Sequence, residues 1–317
     1  MIDLSSNELA IARSVIYASL FDYPLTLEQL QQTLIESVQT PAAILDAYGS
    51  SALLQRVIER DEGMFFPSGR RDLIAERRRR EARSRAFLAR HRLLLRLVCA
   101  MPYTSMVALS GSLAHLNLEG SGDLDLFIVT RGRHVWSVTV AVVLLARLMR
   151  RRRIVCANFV LADTHFALEQ QDLFTANQIM HLRPLAGESV YRDFLAANPF
   201  VTRFYPNFRP GAPMTPASRG APGRVKEMLE RALLGPSRLV EWACRRAYLW
   251  HLRRRASSWR SPEQVRLEPD CLKLHTQSHR QNTIDRFDLS LRHALDRAGC
   301  YTRPTAAAAG ASASGRP

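Results

Sequence analysis

The sequence predicts a fold that mixes α-helices and β-strands (α/β, or α+β), and three observations support this class. Residues 7–56 carry apolar side chains at helical spacing, and a short hairpin pattern follows them. Residues 106–161 alternate between short apolar strand segments and helical segments. Residues 224–297 hold long stretches that mix arginine with apolar residues, which is typical of helices on a protein surface.

The composition excludes several classes of protein. The chain has 317 residues, enough for about two domains at roughly 150 residues each. Its longest apolar run, residues 135–146, is shorter than the about 20 residues that span a bilayer, and residues 1–6 do not resemble a leader. The five cysteines are scattered without CxxC spacing. We therefore expect a cytoplasmic protein with reduced thiols and no membrane partner.

The positive charge favours nucleic acid less than its size suggests. Lysine and arginine number 44 against 29 acidic residues, which gives a net charge of +15. Only Lys226 and Lys273 are lysines, so the excess is arginine and reflects in part a compositional bias. Nucleic acid is a partner that the charge allows but does not favour.

The first 69 residues have the order of elements of a winged helix. Helical patterns cover residues 7–20, a segment starting at 26, and 41–56, and two short strands with a turn at Gly63 follow. Before Arg56, residues 26–56 contain no basic side chain, whereas a recognition helix needs phosphate contacts. We expect a module that contacts a protein or positions a substrate. The arginine-rich helix at 70–100 is expected to be a solvated connector, with contact to nucleic acid as the alternative.

Residues 106–130 contain the pattern that indicates chemistry. A strand at 106–109 leads into Ser110-Gly111-Ser112 and a short helix at 113–118, and a second strand covers 123–130. Because strand side chains alternate, Asp123 and Asp125 share one face. Two adjacent carboxylates repel each other unless a cation lies between them, and Mg²⁺ (or Mn²⁺) suits such oxygen ligands.

The turn before this strand is suited to bind phosphate. Gly111 allows the backbone to come close to a phosphate, and the Ser112 hydroxyl and helix amides can bind its oxygens. A phosphate-binding turn beside a metal-binding strand is what phosphoryl or nucleotidyl transfer requires.

The rest of the chain is predicted to be mainly helical. A helix at 135–150 precedes a strand at 154–161, and several helices occupy 172–200. Residues 208–223 are rich in Pro, Gly, Ala and Ser and indicate a linker. Helices are expected at about 224–257 and 276–297, and the tail from Pro304 has low complexity.

The Gly-Ser turn followed ten residues later by Asp-x-Asp resembles the signature of the DNA polymerase beta-like nucleotidyltransferase superfamily. Four segments, one of which contains the Gly-Ser turn, resemble a little-characterised bacterial group in which a winged-helix-like segment precedes the nucleotidyltransferase domain. These segments are 21–26, 110–114, 156–159 and 173–176. The resemblance implies a polymerase-beta-like core with a mixed sheet.

The resemblance also implies roles for individual residues. Gly111 and Ser112, with Ser110, would hold the phosphates of a nucleoside triphosphate, and Asp123 and Asp125 would bind Mg²⁺. The superfamily has a third carboxylate on the next strand, where this chain has Asn158. Either Asn158, whose amide oxygen can bind a metal, or Asp163 at the end of that strand would replace this carboxylate, and Glu119 is a more remote candidate. A second departure is His115, where many small members carry arginine.

These inferences predict six segments in chain order. They are a winged-helix-like domain (1–69), a connecting basic helix (70–100), a nucleotidyltransferase domain (101–207), a linker (208–223), a helical extension (224–303) and a disordered tail (304–317).

The predicted function is Mg²⁺-dependent transfer of a nucleoside monophosphate from an NTP to an acceptor hydroxyl, with release of pyrophosphate. The acceptor could be a protein, an RNA or a small molecule. The alternative is a catalytically weak or inactive protein that senses nucleotide and binds DNA or a protein partner through its winged helix.

Overall fold

The computed structural model describes residues 3–120, 122–210, 222–233, 237–274 and 280–299. The described residues form two compact units, one drawn from residues 3–74 and 282–299 and the other from the described residues between 75 and 281. Both helices and strands contribute, and the larger sheet is mixed, so the predicted mixed α and β class is confirmed. Among the described residues, no helix is long and apolar enough to span a bilayer.

The helices, in chain order, are α1 (Ser6–Ser19), α2 (Leu27–Gln32), α3 (Pro41–Ser50), α4 (Ala52–Val57), α5 (Asp72–Cys99), α6 (Gly111–Ala114), α7 (Val135–Leu148), α8 (Leu173–Met180), α9 (Glu188–Ala196), α10 (Phe200–Phe204), α11 (Pro222–Leu233), α12 (Ser237–Arg253) and α13 (Arg280–Ala298). The strands are β1 (Leu25–Thr26), β2 (Ile58–Asp61), β3 (Met64–Pro67), β4 (Thr104–Leu109), β5 (Leu124–Thr130), β6 (Val155–Ala162), β7 (Arg183–Ala186), β8 (Val265–Leu267) and β9 (Cys271–Leu274).

The first unit begins with the helices and hairpin in the predicted order. A capping box between Ser5 and Glu8 starts α1. The expected helix over 41–56 is two helices instead, because Ser51 adopts an extended conformation and its hydroxyl accepts the Leu54 amide to cap α4. Strand β3 pairs antiparallel with both β1 and β2. Helix α13 contributes Phe287, whose ring meets Tyr17 of α1 edge-on.

Helix α5 is more than the solvated connector that its arginines predicted. From residue 75 onward it belongs to the second unit. Its leucines Leu94 and Leu95 are buried in the core of that unit. The Arg80 guanidinium is also buried and pairs with Glu76 and Glu119. At least one arginine of α5 therefore stabilises the fold rather than facing solvent.

The second unit contains a six-stranded sheet in the order β7-β4-β5-β6-β9-β8. Only β5 and β6 are parallel, and the other pairs are antiparallel. Leu124, Leu126 and Ile128 of β5 are buried in the same apolar cluster as the inner side chains of α7. The opposite face of β5 carries Asp125 and Phe127, and Phe127 contacts Phe194 of α9.

Strands β7, β8 and β9 were not predicted, and the C-terminal segments divide differently from the expected extension. These strands have only three or four residues each, too few to show a period of two. Helices α11 and α12 belong to the second unit, whereas α13 lies in the first from residue 282. The expected linker ends earlier than predicted, because α11 begins at Pro222. Its residues 211–221 and the predicted tail lie outside the described residues.

Candidate functional site

The two predicted aspartates lie at the start of β5. Asp123 is exposed and directly precedes the strand, and Asp125 is half-buried on the strand face opposite Leu124 and Leu126. The alternation of side chains along the strand produces this arrangement, because the leucines are held in the core. The sheet therefore holds Asp125 firmly and leaves Asp123 open to solvent.

The Gly-Ser turn packs directly against Asp125. The Ser110 amide donates a hydrogen bond to the backbone oxygen of Asp125 at 2.9 Å. Gly111 has a φ of +63°, and a Cβ added to it would lie 2.5 Å from Oδ2 of Asp125. Glycine meets both the backbone and the space requirement of this position. Ser112 is exposed in the first turn of α6.

An irregularity in the β5–β6 pairing places Asn158 beside Asp125. Asp125 is opposite Cys156, whereas Phe127 is opposite Phe159, so β6 contains one extra residue at this point. The Asn158 side-chain amide donates a hydrogen bond of 3.0 Å to Oδ1 of Asp125. Asn158 therefore lies where the resemblance implied a third carboxylate, and it contacts one of the predicted ligands.

Cys156 is a member of this group that the sequence pattern did not reveal. Its thiol lies 3.9 Å from Oδ2 of Asp123. Burial and then the charges of Asp125 and Asp123 raise the pKa of the Cys156 thiol to about 12, so it stays protonated. Its position two residues before Asn158, which puts both on one strand face, was the signal available in the sequence.

The two carboxylates create a site that is short of positive charge. Burial and then the charge of Asp123 raise the pKa of Asp125 to about 6, although the Asn158 hydrogen bond opposes this shift. A cation between the two carboxylates would remove the repulsion. Mg²⁺ commonly takes one or two protein carboxylates and completes its octahedron with phosphate and water. The donor set therefore fits one Mg²⁺.

Asp163 does not reach this site. It follows β6 at the far end of the parallel pair, where its amide donates to Thr130 and its carboxylate accepts the Gly132 amide at 2.8 Å. Thr130 lies five residues beyond Asp125, or about 16 Å along the strand. The parallel register therefore keeps Asp163 from sharing an ion with Asp125. Glu119 pairs with Arg80 of α5 at 3.0 Å.

The described residues contain no cluster of three or more His, Cys, Asp or Glu side chains that could hold a metal ion. The candidate oxygen ligands are thus Asp123 and Asp125, with the amide of Asn158 beside them.

The backbone of Arg183 lies next to the end of β4, from which the Gly-Ser turn continues. Arg183 begins β7 and lies opposite Leu109, the last residue of β4 before the turn. After burial, its charge is the next cause that lowers the pKa of His115 to about 4. The rings of His115 and His181 lie 3.8 Å apart. The sequence pattern did not reveal Arg183, because β7 is a four-residue strand at the edge of the sheet.

Comparison of the chain with protein-family models, with curated proteins and with solved structures finds no match in any of the three.

Proposed function

We propose that the second unit is a polymerase-beta-like nucleotidyltransferase core that transfers a nucleoside monophosphate from an NTP to an acceptor hydroxyl. The observation that carries this proposal is the contact between the Gly111 turn and the Asp125 carboxylate. It brings a turn able to bind phosphate next to a pair of carboxylates able to bind Mg²⁺. Phosphoryl and nucleotidyl transfer need both features within one triphosphate's length.

In this proposal each residue near the turn has a role set by its position. Ser110, Gly111 and Ser112 bind the β- and γ-phosphates, and the Arg183 guanidinium offsets their charge from the neighbouring strand. His115 stays neutral at pH 7, so Arg183 supplies the positive charge that the resemblance expected at position 115.

Asp123 and Asp125 are the proposed ligands of Mg²⁺. When bound, the ion would neutralise charge on the phosphate oxygens and on the leaving pyrophosphate. Asn158 fixes the orientation of Asp125 through its hydrogen bond, and it carries no charge and cannot act as a base.

The proposal extends to the first unit and to the compartment. The helices α1 to α4 followed by the β2–β3 hairpin, with the sheet order β1-β3-β2, support a winged-helix fold for residues 1–69. Cys99, Cys156, Cys244 and Cys271 are free thiols, which suits the cytoplasm.

The proposal is tested with the purified chain, Mg²⁺ or Mn²⁺, and each α-labelled NTP in the presence of a cell extract. Pyrophosphate release and transfer of label are expected, and Asp123→Ala/Asp125→Ala should lower the rate by about a thousandfold or more. Arg183→Ala should weaken NTP binding by roughly tenfold, as loss of one charged hydrogen bond does, whereas exposed Arg192→Ala should not. Transfer that persists in the double variant would refute the proposal.

A second candidate function is nucleotide sensing without turnover, in a protein that binds DNA or a protein partner through its first unit. It is favoured by Asn158, since the amide replaces the third carboxylate of active members. Calorimetry separates the two functions. Nucleotide binding that requires Asp123 and Asp125 without any pyrophosphate release would select the sensor.

A further inference from the structure

A cavity lies on the same face of the sheet as Asp125, one residue further along β6. Phe159 forms part of its wall, follows Asn158 directly, and contacts the ring of Phe127 with 4.9 Å between ring centres. Lys273 of β9 lies opposite Phe159 in the sheet. The cavity has a volume of about 340 Å³. Its lining includes Phe159, Gln170, Thr175, Gln178, Gln264 and Lys273.

Lys273 is an unusual residue for this chain. It is one of two lysines in a sequence whose 44 basic residues are otherwise arginine. Its half-buried ammonium donates to Oε1 of Gln170 at 3.1 Å and to Oε1 of Gln264 at 3.4 Å. A planar guanidinium on a longer stem would fill space that the compact ammonium leaves open. Because both glutamine oxygens face Lys273, their amide nitrogens are turned away from it, and that of Gln170 donates to Oδ2 of Asp172 at 3.4 Å.

The lining is suited to an uncharged ligand with many hydroxyls. Glutamine amides and the Thr175 hydroxyl both donate and accept hydrogen bonds, as hydroxyl recognition requires. The charged side chains of the lining have both signs. Exposed Arg266 pairs with Glu169 at 3.3 Å, and Glu263 and Glu268 are also exposed. The volume lies at the low end of the roughly 300–1,000 Å³ of small-molecule sites, which is too small for a folded protein or an RNA helix.

We propose that this cavity binds the acceptor and that the acceptor is a small, uncharged, polyhydroxylated molecule of about monosaccharide size. The inference rests on the proposed function, which requires an acceptor hydroxyl. With the phosphates on the β4 side of Asp125, the strand order puts the cavity on the other side, at β6–β9, and this proposal takes the in-line attack from there. A bond forms between the acceptor oxygen and the α-phosphorus, the α–β P–O bond breaks, pyrophosphate leaves, and the hydroxyl proton passes to water.

Lys273 is a positioning residue in this proposal, since it orients the two glutamines that hold the acceptor. Ligand-observed saturation-transfer NMR on the full chain tests this without any turnover. The probes are glucose, galactose, mannose and myo-inositol, with glucosamine and glucose 6-phosphate as charged counterparts. At least one neutral probe should receive saturation. Lys273→Met and Gln264→Leu should each reduce it roughly tenfold, as the loss of one or two hydrogen bonds does.

Two controls separate this inference from the proposed function. Lys226→Met removes the other lysine, which bonds Thr104 at the opposite side of the sheet, and should leave the signal unchanged. Asp123→Asn/Asp125→Asn should also keep it, because the cavity does not require the metal ligands. Urea unfolding verifies that Lys273→Met is folded. If Lys273→Met does not fold, the signal of Gln264→Leu tests the inference instead.

Three outcomes would overturn the inference. The first is that no probe receives saturation, and the second is that only the charged probes receive it. The third is that the wild type and Gln264→Leu give equal signals with the neutral probes. Neutral binding without NTP turnover would refute the proposed function and leave the cavity as a sugar site. Turnover onto RNA or protein without neutral binding would refute the cavity assignment alone.

Discussion

At Gly111 the backbone and the Asp125 carboxylate are so close that only a hydrogen atom fits between them. Gly132 is a matched control, because its φ of +60° imposes the same backbone strain and nothing lies within 4 Å of an added Cβ. We expect Gly132→Ala to lower the free energy of unfolding by about 1 kcal/mol. Gly111→Ala should cost about 1–3 kcal/mol more, because the carboxylate must move.

Urea unfolding of the two variants measures this difference. We expect ATP with Mg²⁺ to stabilise the wild type and Gly132→Ala, and Gly111→Ala to lose this stabilisation. Equal losses of stability in the two variants would show that the contact with Asp125 is unimportant.

Asp125 is held in a place where its negative charge is unfavourable. Burial and Asp123 raise its pKa to about 6, so its ionised form lowers the stability of the fold above that pH. In EDTA at pH 8, Asp125→Asn should raise the free energy of unfolding by about 1–3 kcal/mol. This gain should disappear as the pH falls from 6 toward 4, since the wild-type carboxyl then becomes protonated in the folded state.

The same variant separates stability from function. Mg²⁺ should raise the Tm of the wild type and not that of Asp125→Asn, while transfer activity is lost. A variant less stable than the wild type at pH 8 in EDTA would contradict the electrostatic argument.

His115 should make the stability of the fold depend on pH in the opposite direction. Burial, followed by the charge of Arg183, lowers its pKa to about 4 from an ordinary 6.5. Between these values the unfolded chain takes up a proton that the folded chain does not, so stability falls as the pH falls. Between pH 7 and pH 4, the free energy of unfolding of His115→Phe should fall by about 1–3 kcal/mol less than that of the wild type.

Chemical unfolding at several pH values measures this slope. The ring of His181 lies against that of His115 at a tilt of 43°, and burial also lowers the pKa of His181, so part of the slope should remain in the variant. An unchanged slope would show that His115 accepts a proton in the folded state.

At the scale of elements, helix α7 depends on a cap from another helix. His134, which precedes α7, makes no side-chain capping bond. Instead, Glu241 of α12 accepts the amides of Trp136 and Ser137 at 2.8 Å each. A carboxylate at this position satisfies two free amides and lies at the positive end of the helix dipole.

Glu241→Ala should therefore lower the free energy of unfolding by about 1–3 kcal/mol. Exposed Glu227→Ala on α11 should change it by less than about 0.5 kcal/mol. Thermal and urea unfolding followed by circular dichroism provide the comparison. A loss in Glu241→Ala no larger than that in Glu227→Ala would show that α7 needs no external cap.

The pairing of β5 with β6 determines which residues can meet in the site. The extra residue in β6 puts Asn158 beside Asp125, and the parallel direction places Asp163 at the other end. A strand prediction supplies the order of residues but not the register, so both residues remained candidates at the level of sequence.

At the scale of the whole molecule, the net charge of +15 should give weak, salt-sensitive attraction to nucleic acid. Between residues 27 and 57, Arg56 is the single basic side chain. Binding to a 20-bp duplex should therefore be independent of base sequence, fall steeply between 50 and 300 mM salt, and stay unchanged in Arg56→Ala.

Fluorescence anisotropy with duplexes of different sequence measures this binding. Sequence-specific binding that survives 300 mM salt and requires Arg56 would contradict the expectation. It would instead support a first unit that recognises DNA.

The sequence by itself determined the mixed fold class, the order of most helices and strands, and the proximity of Asp123 to Asp125. These features depend on local periodicity, caps and spacing, which neighbouring residues specify directly. The short strands β7, β8 and β9 escaped prediction because three or four residues carry no period.

Only the tertiary structure decided what meets across the sheet. It brought Gly111 against Asp125, Asn158 into a hydrogen bond with Asp125, and the backbone of Arg183 opposite Leu109 at the end of β4. It also placed Asp163 far from the site and formed the cavity around Lys273. The physical reason is that strand register and strand order arise from contacts between residues distant in sequence, which no local pattern encodes.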